Sequence, residues 1–196
     1  MVLPIVAYGD PVLKKVGEEI DEDYPGLNEL IANMWETMYE ASGVGLAAPQ
    51  VGKSIRLFIV DASPFAEDEE YSEKDRKVFE NFKKVFINPY IVEETGDEWP
   101  FNEGCLSIPD IREEVNRKPK VVLNYLDESF VEHEETFEGV PARIIQHEYD
   151  HIDGVLFTDR ISPLKKRALK KKLTNIAKGN IDVRYRMRFP LQKSRR

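Results

Sequence analysis

The stretch GVPARIIQHEYDHI, residues 139–152, decides how this chain folds. From Val140 to Ile152 its apolar side chains recur every three to four positions, which is the spacing of an amphipathic α-helix. Gly154 follows at a position typical of a helix end. We therefore predict one helix over the whole stretch, with an apolar face turned towards the core.

Two histidines one turn apart within that helix form a candidate metal site. His147 and His151 are separated by four residues, about 400° of helical rotation, so both imidazoles lie on nearly the same face and can reach one ion. Glu148 lies beside them, where a carboxylate can carry a proton. Core or surface histidines are the plainer explanation of such a pair. However, the chain has three histidines in all, and two of them are in this motif.

A catalytic centre of this kind takes three protein ligands and leaves one position for water. No Glu or His follows His151, and Phe157 is at the tenth position after His147, so both common zinc-protease patterns fail. Upstream, the candidates are carboxylates, His133 in a charged stretch that favours solvation, and Cys105. The thiolate is the softest of these donors and binds first-row divalent metals strongly. We favour Cys105, with a buried core cysteine as the alternative.

Two further segments contain candidate substrate contacts. Residues 43–50, GVGLAAPQ, have small side chains that let another backbone approach, and Gln50 has an amide donor that can stabilise a developing oxyanion. Residues 103–107, EGCLS, place a glycine before Cys105 and a backbone amide after it. A Gly/Ala-rich turn also occurs without any function, so neither segment decides the chemistry alone.

The rest of the chain predicts an α+β fold. Runs of β-branched and aromatic residues predict strands at residues 56–61, 84–91, 120–127 and 130–137. Helical spacing recurs at residues 24–42 and 163–179, and alternating basic and apolar residues at 184–189 are typical of an edge strand. We predict a single domain over residues 1–196, in which mainly antiparallel sheet wraps around a central helix that carries HExxH.

Composition excludes two classes of protein. With 41% hydrophobic and 33% charged residues and a net charge of −8, the 196-residue chain is too apolar to be disordered. No apolar run approaches the ~20 residues needed to cross a bilayer. No basic leader precedes the first apolar stretch, so we expect a cytoplasmic protein.

Charge is unevenly distributed along the chain. Residues 160–196 contain 14 Lys+Arg and one acid, whereas residues 1–159 contain 14 Lys+Arg and 35 acids. We predict a basic C-terminal helix and extension, which can attract phosphate or simply be a solvated helix face. The seven acids of residues 63–82 predict a surface insertion, helical in part, that is remote from the chemistry.

Three ordered segments of the chain resemble the signature of the peptide deformylases. They are GVGLAAPQ at residues 43–50, EGCLS at 103–107 and QHEYDH at 146–151. The resemblance extends from about Val6 to about Leu156, and three motifs occurring together are highly specific. It implies a hydrolase that removes the N-formyl group from the formylmethionine of newly made proteins and releases formate. The implied partners are N-formylmethionyl nascent peptides, with no membrane and no DNA.

The resemblance also implies roles for individual residues. The implied ligands of one divalent metal ion are Cys105, His147 and His151. By the same resemblance the ion would be Fe(II) in the cell, with Zn, Ni or Co as replacements. Glu148 would be the general base and acid, and the Gln50 amide and the Leu106 N–H would stabilise the oxyanion. The implied substrate contacts, which include a methionine pocket, are Gly43, Val44, Gly45, Phe101, Glu103, Gly104, Val140 and Ile144.

Two other functions fit parts of the sequence. One is an HExxH metallopeptidase with a different third ligand, and the other is a ribosome- or RNA-binding module with a structural metal. We expect residues 63–82 and the extension beyond Asn180 to touch none of the motifs. Ribosome binding through the basic segment is a further expectation. Removal of the residues after Ser162 should then weaken that binding and spare hydrolysis of a short formyl peptide.

Overall fold

A computed structural model describes residues 1–192. The helices are α1 (Leu27–Glu40), α2 (Glu73–Glu80), α3 (Gly139–Ile152) and α4 (Pro163–Ala177). The strands are β1 (Ile5–Val6), β2 (Gly45–Ala47), β3 (Leu57–Asp61), β4 (Lys83–Thr95), β5 (Trp99–Cys105), β6 (Ile108–Arg117), β7 (Lys120–Leu126), β8 (Glu132–Glu138) and β9 (Met187–Arg188). Short 3-10 helices lie at Pro11–Lys14, Ala48–Val51, Ser63–Glu67 and Phe157–Asp159. The predicted α+β class with antiparallel sheet is confirmed.

Most strands pair antiparallel. A five-stranded sheet has the order β2-β3-β4-β7-β8, and β5 and β6 form a separate antiparallel hairpin. The sequence pattern does not predict this hairpin, because WPFNEGC at residues 99–105 combines a proline, a glycine and polar residues without strict alternation. β1 and β9 pair in parallel, with Ile5 opposite Met187. The predicted edge strand at residues 184–189 is therefore a two-residue strand.

Helix α3 spans the residues that the spacing predicts and is buried on nearly every side. All of its residues except Gly139 and Tyr149 are buried, and it packs against β2, β3, β7 and β8. A Cβ on Gly154 would come within 2.7 Å of the Lys14 carbonyl oxygen, so only glycine fits at this position. Because the polar side chains of α3 lie away from water, each needs a partner inside the protein.

Residues 63–82 are more than a surface insertion. They contain one 3-10 helix and α2, which Ser72 caps by accepting a hydrogen bond from the Asp75 N–H. Phe79 and Phe82 are buried in the core beside β3 and β4, and Phe65 packs against the same cluster. The predicted helical content is found, but the aromatic residues attach this segment to the fold.

Helix α4 packs its apolar side chains into the core. Leu169, Leu173 and Ile176 are buried together with Ile108 and Val115 of β6. The expectation that residues after Ser162 can be removed without harm to hydrolysis conflicts with this packing. The basic side chains lie mainly on the other side of α4, where they are exposed. Over residues 1–192, no helix is both long and apolar enough to cross a membrane.

Candidate active site

Three donor side chains from two distant segments converge beside α3. The ligand atoms of Cys105, His147 and His151 all lie within 4.8 Å of one another, and the Cys105 sulfur is 3.2 Å from His151 Nε2. Cys105 ends β5, whereas both histidines lie on one face of α3 with ring centroids 5.2 Å apart. One sulfur and two imidazole nitrogens form a donor set that suits zinc, iron and related divalent ions.

Glu103 fixes the orientation of His147. Its Oε2 is 2.9 Å from His147 Nδ1, which leaves Nε2 of that ring for the site. Arg117 donates two hydrogen bonds to the same carboxylate, at 2.7 and 2.9 Å, and Arg143 donates a third at 3.0 Å. Burial raises the pKa of Glu103, but the bonds from Arg117 and His147 outweigh it and hold that pKa well below its ordinary value. Glu103 is therefore an anion whose two oxygens are both engaged within the protein.

A second buried carboxylate extends this network along α3. Arg117 Nη1 donates to Asp150 Oδ2 at 2.8 Å, and Arg160 pairs with the same aspartate from the solvent side. Arg117 and Asp150 are both buried, so each charge depends on the others for compensation. The sequence alone leaves the role of Asp150 open. The structure places it one residue before His151, anchored to the arginine that also holds Glu103.

Glu148 is the buried acid that has no such partner. Within residues 1–192 its Oε2 makes no hydrogen bond, and the side chain lines the cavity beside the metal-ligand trio. Burial raises the pKa of Glu148 to about 7. Gly45 makes room for this side chain, since a Cβ there would lie 2.4 Å from Glu148 Oε1. A carboxyl group in this state can both accept and return a proton near neutral pH.

Gln50 has one possible orientation at the edge of the site. Its Oε1 accepts a hydrogen bond from the Ala47 N–H at 2.8 Å, so the NH2 group faces the other way. That group lies 3.5 Å from the Cys105 sulfur and 3.3 Å from Ser107 Oγ. The arrangement directs an amide donor towards the cavity, next to the turn that contains Leu106.

A cavity of about 580 Å³ opens beside the trio. Of the substrate contacts implied by the sequence, the residues in its wall are Gly43, Val44, Gly45, Phe101, Glu103, Gly104 and Ile144. As far as residues 1–192 are concerned, Val140 is not among the lining residues and belongs to the core around Phe86 and Phe137. Its place one turn before Ile144 is a packing position.

The chain was compared with known proteins. Residues 2–167 match the family model described as polypeptide deformylase. The chain belongs to this family. Peptide deformylases of Christiangramia forsetii and Flavobacterium johnsoniae are 61% and 60% identical to it over the full length of both chains. The family resemblance carried by the three motifs is confirmed, and the protein is a hydrolase.

Solved deformylase structures share the fold. The crystal structure of a peptide deformylase from Legionella pneumophila has a TM-score of 0.76 at 38% identity, and covers 89% of this chain and 95% of its own. The Thermus thermophilus enzyme gives the same TM-score and identity, with 90% and 98% covered. The elements that bring the deformylase motifs together are thus those of the family fold.

Sequence reasoning missed several residues of this deformylase site. Phe65 lines the cavity, so the expectation that residues 63–82 lie remote from the chemistry is wrong at this position. Tyr185 also lines it and donates to the Leu106 carbonyl at 2.7 Å, so the extension beyond Asn180 does touch a motif. The sequence contains one indication that Arg143 belongs to the site, because this residue precedes His147 by one turn on the same face of the helix. His133 lies in β8, where it contacts Asp127 at 2.7 Å.

Proposed function

We propose that the chain removes the N-formyl group from the N-terminal formylmethionine of newly made proteins and releases formate. The supporting observation is the convergence of Cys105, His147 and His151 next to Glu148, whose Oε2 makes no hydrogen bond to any of residues 1–192. Both features lie in the wall of, or directly behind, one substrate-sized cavity. In this proposal residues 1–196 act as one catalytic domain in the cytoplasm.

One divalent metal ion fits the trio. The thiolate and two imidazoles are soft to intermediate donors, and the Glu103 contact orients the His147 ring as in other histidine ligands. We propose Fe(II) as the ion in the cell, with Zn, Ni or Co as alternatives. When bound, the ion supplies a Lewis acid that lowers the pKa of a coordinated water.

The protein's own groups move the proton and stabilise charge. Glu148, with a pKa of about 7, takes the proton from the attacking water and returns it to the departing amine. The Gln50 NH2 group and the Leu106 N–H donate to the oxygen that becomes negative when water adds to the formyl carbon. One such donor is worth about 3 kcal/mol in other hydrolases.

The cavity wall selects the substrate. Val44, Phe101 and Ile144 supply an apolar surface for the methionine side chain, and the backbones at Gly43 and Gly45 leave space for an extended peptide. The acyl group must fit between Gly45 and the trio, where the close approach of Glu148 leaves little volume. Formyl is the smallest acyl group, so this restricted space favours it over acetyl and larger acyl groups.

Formate release from formyl-Met-Ala-Ser tests the proposal directly. The metal-loaded protein should release formate and leave free Met-Ala-Ser uncleaved. Cleavage of the peptide bonds instead would favour an HExxH metallopeptidase. A site that holds the ion with four protein ligands and no exchangeable water would favour a structural metal in a ribosome- or RNA-binding module.

Glu148→Gln is the sharper chemical test, because it keeps the size of the side chain that packs on Gly45. We expect the metal content to be retained and turnover to fall at least about 10³-fold, consistent with loss of a general base. The matched control is Glu114→Gln, which removes an exposed carboxylate from β6. Substantial turnover in the Glu148 variant would show that another group carries the proton.

We also propose that the basic face of α4 binds the ribosome. Arg167, Lys170 and Lys171 are exposed on a helix whose apolar side is anchored in the core. Because these three side chains are exposed, we expect charge reversal there to preserve the fold, unlike truncation. It should weaken co-sedimentation with ribosomes more at low than at high salt and leave hydrolysis of the short peptide unchanged. Equal co-sedimentation at every salt concentration would exclude this docking surface.

A further inference from the structure

The segment after α4 is paired with the N-terminal part of the chain. β9 pairs in parallel with β1, and the Ile5 and Ala7 N–H groups donate to the carbonyls of Arg186 and Arg188 at 2.9 Å. Met187 packs against two groups of buried apolar residues, one that includes Leu57 and one that includes Leu169. The residue two positions before β9 is therefore held in place by pairing that does not involve the catalytic side chains.

That residue is Tyr185, and its hydroxyl reaches the turn that follows Cys105. The Tyr185 hydroxyl donates to the Leu106 carbonyl oxygen at 2.7 Å, and the half-buried ring lines the cavity. Leu106 lies between β5 and β6, so its carbonyl is outside the regular ladder of the hairpin. The contact therefore restrains a backbone group that the strands themselves leave free.

The same turn is held by two more hydrogen bonds. The Tyr8 N–H donates to the Ser107 carbonyl at 2.9 Å, and the Gln50 amide lies 3.3 Å from Ser107 Oγ. Both of these bonds act on Ser107. Of these three hydrogen bonds, the one from Tyr185 is made to Leu106. In the proposed function, Leu106 is the residue whose N–H donates to the oxyanion.

We propose that Tyr185 is a positioning residue for hydrolysis: its hydroxyl holds the Leu106 carbonyl, one Cα away from the Leu106 N–H, and so restrains the turn that presents this N–H. This inference rests on the proposed function. A donor that is already aimed at the developing oxyanion costs no reorganisation during the reaction, and small misalignments of such groups reduce rates strongly. The C-terminal extension thus contributes to the oxyanion site through one hydroxyl group.

Tyr185→Phe tests the role, because it removes the hydroxyl and keeps the ring in the cavity wall. We expect kcat for formyl-Met-Ala-Ser to fall roughly five- to twenty-fold with KM within about twofold, since the donor is loosened and not deleted. The melting temperature should fall by less than about 5 °C, since one hydrogen bond is lost and the ring stays in place. Tyr24→Phe is the matched control. Tyr24 is also half-buried and lies just before α1, and this substitution should leave all of these values unchanged.

The outcomes separate this role from the proposed function. If the wild-type protein releases no formate, the proposed function fails and the positioning role fails with it. If wild type is active and Tyr185→Phe has the same kcat, or loses efficiency through KM alone, the positioning role is overturned and the proposed function stands. A fall in kcat with KM within about twofold supports it, with assays run at a temperature where wild type and variant are both fully folded.

Discussion

At the scale of single residues, the space beside Glu148 depends on the missing side chain of Gly45. A Cβ at this position would lie 2.4 Å from Glu148 Oε1 and 2.8 Å from its Cδ, far inside contact distance. Because Glu148 is buried, it can move only towards the trio or the cavity. Glycine is therefore required here for the geometry of the site, whatever the local backbone preference.

We predict that Gly45→Ala lowers turnover of formyl-Met-Ala-Ser at least about 100-fold, because displacement of a reacting group by about 1 Å has this effect in enzymes. Formate release measures the loss. Gly26→Ala is the control: nothing lies within 4 Å of its added Cβ, and its left-handed backbone makes the change costly to stability alone. Turnover of Gly45→Ala within threefold of wild type would contradict the steric argument.

Arg117 is the residue on which two buried anions depend. It is paired with Glu103 and Asp150 at 2.7 and 2.8 Å, and all three side chains are at most 6% exposed. Arg117→Met should lower the free energy of unfolding by about 3–5 kcal/mol, since it breaks two buried ion pairs and leaves Glu103 and Asp150 with one arginine partner each. Urea unfolding measures this.

The control for Arg117 is Lys77→Met, which breaks an exposed ion pair with Glu73 on α2. That change should cost less than about 0.5 kcal/mol. Similar losses in the two variants would show that the buried network has no special weight in stability.

At the scale of elements, one aspartate stabilises the connection between α3 and α4. Asp159 ends a 3-10 helix, pairs with Lys14 and Lys166, and accepts a hydrogen bond from the Leu156 N–H at 2.9 Å. Burial raises the pKa of Asp159, but these contacts outweigh it and lower that pKa from 3.8 to about 2. The charged form is therefore the one that the folded state favours.

The sign of the pH dependence follows from the lowered pKa. The stabilisation by Asp159 is complete above its unfolded value of about 3.8 and disappears as pH falls towards 2. We predict that Asp159→Asn costs about 1 kcal/mol at pH 6, after allowance for screening of the exposed lysines, and that the difference from wild type shrinks between about pH 4 and pH 2. Urea midpoints at each pH measure it, and a pH-independent difference would contradict this origin.

The elements that sequence reasoning found are those with strong local periodicity. Helix α3 was predicted over all of its residues, because its apolar spacing and the HExxH motif reinforce each other. The hairpin β5–β6 was missed, although it carries Cys105, because one of its faces contains Glu103 and Arg117 in place of apolar residues. Burial of charges in pairs hides a strand from pattern recognition.

At the scale of the whole molecule, long-range contacts are what local patterns cannot supply. The three motifs identify the trio and Glu148, but nothing near residue 117 or residue 185 indicates that these side chains meet residues 103 and 106. Arg117 meets Glu103 through the β5–β6 hairpin, which the sequence pattern misses, and Tyr185 meets Leu106 because β9 pairs with β1 near the other end of the chain. The chemistry that we propose for the site was therefore inferred from the sequence, whereas its supporting contacts were not.

We predict that a chain ending at Asn180 is less stable and nearly inactive, because it lacks β9 and the cavity wall at Tyr185. Loss of the partly buried Met187 and Phe189 should lower the free energy of unfolding by about 2–4 kcal/mol. A chain ending at Pro190 keeps both features and serves as the control. Equal melting temperatures and turnover in the two chains would contradict a structural role for β9.

The pairing of β1 with β9 has a consequence for the order in which the molecule is completed during translation. Residues 5 and 6 leave the ribosome first but have no strand partner until residues 187 and 188 have been made. The hydrogen bond to the Leu106 carbonyl likewise cannot form until residue 185 has been made. A growing copy of this chain thus lacks both features until residue 188 has been made, so we expect a copy interrupted before that point to add no working enzyme to the cell.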